Sequence, residues 1–82
     1  MMTKTYKVVP MLFNSGKFAL AIRLKIDKAN VTKEDVAALA NISDTTVASL
    51  ASGLQDNPKM QTFLGICNAL DLNPLDYFEL AE

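Results

Sequence analysis

The chain has 82 residues, half of them hydrophobic, with nine acidic and eight basic side chains and a formal net charge of −1. Such a length and composition suit one small domain with a single core. With no histidine and one cysteine, a typical zinc site and a disulfide framework are excluded; no run reaches the apolar length of a membrane span or a signal-peptide core, so the chain reads as cytoplasmic.

Met1–Phe13 stands apart from the rest of the chain. Tyr6-Lys7-Val8-Val9 is β-prone, but Pro10 would interrupt a ladder, so any strand here is short or lies at an edge. Leu12 and Phe13 are expected to fold back and cap the core. Residues 1–16 are therefore read as an N-terminal arm or short strand, and residues 17–80 as the domain. Asn14-Ser15-Gly16 is a turn and cap signal. The spacing predicts a first helix from about Lys17 to Ala29, with Phe18, Ile22, Ile26 and Ala29 as its buried stripe. Leu24 falls off that stripe, as do Lys17, Arg23, Lys25 and Lys28. Asn30 ends the helix.

Val31–Gly53 reads as two short helices and a tight turn. Thr32 caps the first of them, and Asp35 sits where a capping-box acid reaches back. Val36, Ala37, Leu39 and Ala40 supply its apolar face. Asn41 comes after the periodic run, where a left-handed residue is wanted. Ser43 caps the next helix, Asp44–Ser52, and Asp44 sits in its first turn, where the dipole favours a negative charge. Val47 and Leu50, three apart, face inward together. Gly53 closes the unit, which has the pattern of a helix-turn-helix over about 32–52.

Leu54–Pro58 is a loop, with Pro58 placed to open a fourth helix at about Lys59–Leu70. Met60, Phe63, Leu64, Ile66, Cys67 and Leu70 give that helix a wide apolar face. Cys67 reads as a small buried hydrophobe. Gly65 costs about 1 kcal/mol relative to alanine inside a helix, and so marks a close helix approach. Asn73-Pro74 caps a fifth helix, Leu75–Leu80.

Thr32 to Ala37, then Asn41-Ile42-Ser43, Thr46-Val47, Leu50, Gly53 and Asn57-Pro58, resemble the Cro/phage-repressor (Xre) family of DNA-binding domains. Phe63-Leu64, Ile66-Cys67, Ala69-Leu70, Leu72, Leu75 and Phe78 extend the resemblance, which covers about residues 17–80. It implies an all-α, compact five-helix bundle whose third helix enters the major groove of double-stranded DNA. One departure concerns that helix: Asp44–Ser52 holds no Lys, Arg, Gln or Asn, where the family usually carries polar or basic residues.

The resemblance, with helix-turn-helix geometry, assigns the candidate contacts. Asp44 and Thr45 sit where the family reads base edges, Ala48 and Ser49 lie one turn on, and Thr46 lies nearer the hinge. A Thr hydroxyl can bond either kind of base edge, and its methyl can touch a thymine methyl. Lys33 is at the family's phosphate-contacting position. Thr32 and Ser43 stand at helix N-termini, whose backbone N–H groups can meet phosphates. Gln55, Asn57 and Lys59 can reach the DNA backbone from the loop. The bland readings are that Thr32, Ser43 and Asp44 are only caps, and that Thr45 and Ser49 are only solvated surface.

The charges are polarised. Residues 1–33 carry seven cations against Asp27, net +6, and residues 34–82 carry Lys59 against eight carboxylates, net −7. That polarity can present a basic face to phosphates and an acidic end to solvent or a partner, or simply keep the domain soluble. With few cations beside the third helix, one copy would bind DNA weakly, and a homodimer on a two-fold site would double the contacts. The N-terminal segment or the apolar stretch Leu75, Tyr77, Phe78, Leu80 could make it. For Tyr6–Val9, a DNA-touching arm, a strand pairing with a second subunit and a fold-back all stay open. A repressor-like transcriptional regulator is the leading reading. The alternative is a protein-interaction module of the same fold with a protein partner and weak or no DNA binding. There is no glycine-rich phosphate loop and no nucleophile with a recognisable base, so no enzymatic activity, metal or cofactor is expected.

Overall fold

The computed structural model describes residues 11–80. The order is β1 (Met11–Phe13), α1 (Ser15–Ala29), α2 (Lys33–Ala40), α3 (Asp44–Ser52), α4 (Met60–Leu70), a 3-10 turn (Pro74–Tyr77) and β2 (Phe78–Leu80). The Tyr6–Val9 expectations lie outside the described residues.

The caps follow from local side-chain chemistry. The Asn14 side chain accepts from the Lys17 amide at 2.9 Å, so α1 begins at Ser15, two residues before the expected start. Thr32 and Asp35 form the expected capping box: Thr32 Oγ1 accepts from the Asp35 amide at 3.1 Å, and the Asp35 carboxylate accepts from the Thr32 amide at 2.9 Å. Ser43 accepts from the Thr46 amide at 3.2 Å and opens α3. Asn30, Asn41, Gly53 and Asp71 end the four helices in the left-handed region. Pro58 does not open α4. Lys59 is extended, with ψ 145°, and takes the cap position without a side-chain bond, so the helix starts at Met60.

The core gathers Phe18 and Ile22 of α1, Val36 and Ala37 of α2, Val47, Leu50 and Ala51 of α3, and Phe63, Ile66, Cys67 and Leu70 of α4. Ala29 and Leu39 depart from their expected inward faces. Ala29 lies on the last turn of α1, which carries no buried residue. Leu39 is 69% exposed, because α2 turns Val36, Ala37 and Ala40 inward and leaves Leu39 outside that face. Gly65 is the close approach its position implied. A Cβ there would stand 3.2 Å from the Ala40 carbonyl oxygen and 3.3 Å from the Ala40 Cβ.

The fifth helix is not formed, so the architecture of the described residues is four α-helices with a two-stranded ribbon, not a five-helix all-α bundle. Asn73 caps a single 3-10 turn by accepting from the Leu75 amide at 3.2 Å. The chain then extends and pairs antiparallel with β1, in the register Met11↔Leu80, Leu12↔Glu79, Phe13↔Phe78. Six residues are too few to hold a helix on propensity alone. Pairing instead satisfies the backbone and brings Phe78 onto Phe13 and Phe63, with ring centroids 5.6 and 5.5 Å away. Phe13 folds back onto Phe18 and Phe63, as expected. Leu12 remains 54% exposed, since it alternates to the opposite side of the strand.

Candidate nucleic-acid interface

The two ends of α3 have different tasks. Val47, Leu50 and Ala51 are each at most 1% exposed and fasten the helix to the core. Asp44 and Thr45, in its first turn, face solvent. Ala48 and Ser49 are half-buried, so the exposed part of α3 is narrow and lies chiefly at its N-terminus. The turn into α3 is braced from behind, where the Ile42 amide donates to the Ala37 carbonyl at 3.0 Å and Ile42 packs against the core.

Two of the candidate hydroxyls are committed to each other. Ser43 Oγ and Thr46 Oγ1 are 2.8 Å apart, and Ser43 Oγ also accepts from the Thr46 amide. Thr46 is half-buried, and Thr32 is held in its capping box. These three keep the helix starts in shape. Asp44, Thr45, Lys33 and Lys59 present exposed side chains.

The basic candidates line different hollows. Lys33 shares a hollow of about 250 Å³ with Arg23, Ile26, Asp27, Asn30 and Val31, at the junction of α1 and α2. Lys59 shares a polar hollow of about 350 Å³ with Ala40, Asn41, Ile42, Gln61 and Thr62, beside the turn between α2 and α3. Asn57 is not brought to either. It borders a small cleft with Pro58, Met60 and the aromatic residues Phe13, Phe63 and Phe78, toward the ribbon. Gln55 is half-buried, and its backbone N–H donates to the Ser49 carbonyl at 3.4 Å, closing the end of α3.

Asn41, on the turn between α2 and α3, joins Lys59, Gln61 and Thr62 without any sequence pattern that marks it as their neighbour. Arg23, in sequence one of several loose cations on α1, donates through Nη1 to the carbonyl of Ala51 on α3. No local signal predicts that bond, because it joins residues 28 apart.

A family model described as helix-turn-helix matches residues 22–78. Among solved structures, the chain is similar to the restriction-modification controller protein C.AhdI from Aeromonas hydrophila, with a TM-score of 0.66 and 22% identity over 76% of this chain and 92% of that one. It is also similar to the clp gene regulator ClgR from C. glutamicum, with a TM-score of 0.64 and 19% identity over 76% of this chain and 79% of that one. At those identities the likeness speaks for the fold. No curated protein matches the chain by sequence.

Proposed function

The chain belongs to the helix-turn-helix family of Cro/C1-type DNA-binding transcriptional regulators, and we propose that it acts as a repressor-like dimer whose third helix reads the major groove. The DNA-binding unit is residues 17–80, with the helix-turn-helix at about 32–52. The observation that carries this reading is the division of labour along α3: Val47, Leu50 and Ala51 buried in the core and an exposed first turn, Asp44 and Thr45, within the matched span. Thr45 is the base-reading residue, with Asp44 beside it and Ser49 one turn behind. Lys33 and Lys59 meet phosphates on either side, and Gln55 and Asn57 extend the contact from the loop. Thr32, Ser43 and Thr46 serve chiefly by aiming the N–H groups of α2 and α3 at phosphate oxygens. The C.AhdI and ClgR names, a controller protein and a gene regulator, agree with that role.

The test is binding of the purified protein to labelled random duplex DNA across a salt series, with Thr45→Ala and Lys33→Ala alongside. Wild-type binding should fall steeply with salt. Lys33→Ala should weaken it on all sequences and flatten the salt slope by about one. Thr45→Ala should relax preference at one position of the selected sequence. A two-fold selected sequence would support the dimer.

A second reading is favoured by one observation: α3 carries no Lys, Arg, Gln or Asn. On that reading the fold contacts a protein partner. A folded wild-type protein that binds no duplex even at low salt would decide for it.

A further inference from the structure

A helix leaves its last four carbonyls without intrahelical partners. In α3 these belong to Ser49, Leu50, Ala51 and Ser52, and the last turn has no basic residue of its own. The Ser49 carbonyl is taken by backbone amides of Gly53, Leu54 and Gln55 and by the Ser52 hydroxyl, and the Leu50 carbonyl by the Gly53 amide. The Ala51 carbonyl is met from another helix, by the Arg23 guanidinium of α1, in a half-buried bond. A cation at a helix C-terminus makes a charge-assisted bond and complements the dipole. Ala19 stands one turn before Arg23 on the same face of α1, and a Cβ on Gly53 would lie 3.8 Å from it. The C-terminal end of α3 thus lies beside Ala19 and is bonded one turn further along α1, by Arg23.

We propose that Arg23 is a positioning residue for DNA readout: its hold on the Ala51 carbonyl sets the angle of α3, and so the stance of Asp44 and Thr45 at the far end, without itself neutralising a phosphate. This rests on the reading of α3 as the groove-entering helix. Thr45 and Ala51 are about 9 Å apart along the axis, at 1.5 Å per residue. With the Ala51 end released, a tilt of about 6° over that length shifts Thr45 relative to Ala51 by about 1 Å, more than the roughly 0.5 Å range of a good hydrogen bond. Contacts to phosphates by long lysine side chains tolerate such a shift; a short threonine at a base edge does not.

The test compares the full-length wild type with Arg23→Ala and Arg23→Gln. Each is titrated against its selected duplex and a scrambled duplex over a salt series, at a temperature where circular dichroism reports the folded state. Arg23→Ala should lose about tenfold in affinity for the selected duplex, far less for the scrambled one, and keep the wild-type salt slope. Arg23→Gln retains an amide donor and drops the charge, so it should recover most of the selectivity. A salt slope flattened by about one in both variants would overturn the proposal in favour of a phosphate contact. Unchanged selectivity with only a lowered Tm would overturn it in favour of plain stabilisation. If Arg23→Ala does not fold, Arg23→Gln decides between the same outcomes by its selectivity and slope. A wild type that binds neither duplex overturns the DNA reading and this proposal with it, and is recognised before any variant is compared.

Discussion

Gly65→Ala sets two effects of similar size against each other at the contact between α4 and α2. Replacing glycine by alanine within a helix ordinarily stabilises by about 1 kcal/mol. At Gly65 the new methyl would stand 3.2 Å from the Ala40 carbonyl oxygen and 3.3 Å from its Cβ, inside the 3.5–4.0 Å or so at which carbon contacts are most favourable. The obstacle is backbone, so it cannot rotate away. Ala40 ends α2 and leads directly into Asn41, at φ 58°, so moving it disturbs the turn that sets α3. Overpacking of this kind costs about 1–3 kcal/mol. The net expectation is a loss of about 1 kcal/mol, or a Tm lower by about 4–8 °C for a domain of this size. Thermal and urea unfolding would measure it. The double variant Gly65→Ala with Ala40→Gly removes one of the two close contacts, so it should be less destabilised than the sum of the single changes. A Gly65→Ala protein that melts higher than wild type by several degrees would refute the reasoning, since helix propensity alone would then have decided the outcome.

Burial pushes the Cys67 thiol up from 9.0 to about 11, so a thiol-alkylating reagent at pH 8 should label the native protein far more slowly than the urea-unfolded one. Because the folded-state value is the higher one, the thiol's contribution to stability is complete below about pH 9 and is lost as pH rises toward 11. Tyr77 is raised as well, by burial first and then by Asp76 and Cys67; Cys67→Ala should therefore lessen the alkaline loss of stability without abolishing it. Asp71 ends α4 with φ 56°, which places a carboxylate where the helix dipole is negative and a Cβ where glycine fits best. Asp71→Gly should stabilise by about 0.5–1 kcal/mol, against only slight loss of exposed charge attraction to Lys25 and Lys28, and a Tm below wild type would count against that account.

Short-range chemistry is the part of this structure that is legible in the sequence. The Thr32–Asp35 box, the Ser43 cap and the helix ends at Asn30, Asn41 and Gly53 each depend on residues within a few positions of one another, while Gly65 marks a close approach in sequence but not its partner, Ala40 on another helix. Phe78–Leu80 reads as helix in sequence but forms a strand, because its partner lies at the other end of the chain, where periodicity in Leu75–Leu80 cannot report it. Asp71 does not suggest a left-handed helix end, since aspartate is less usual there than glycine or asparagine. At the candidate interface, the inward and outward faces of α3 are legible from Val47, Leu50 and Thr45. The company kept by each cation is not: Lys33 beside Arg23, Lys59 beside Asn41, and Arg23 on the Ala51 carbonyl all join residues from different elements.

The ribbon also implies an order of assembly. Asn14 and Glu79, at its edge, are joined by a hydrogen bond across 65 positions, whereas α2 comes after α1, and α3 after α2, with three residues between each pair. Closing a flexible loop of that length costs about 3.7 kcal/mol plus a constant. Helices that dock first would shorten the path between its ends, so β1 and β2 should meet late in folding and part early in unfolding, which faster hydrogen exchange at the ribbon amides than at the helix amides would check. When they part, Phe13 and Phe78 leave the rings of Phe18 and Phe63, and the core that seats α3 loses one wall. The strand Met11–Phe13 thus closes, from the far end of the chain, the aromatic wall shared by α1 and α4.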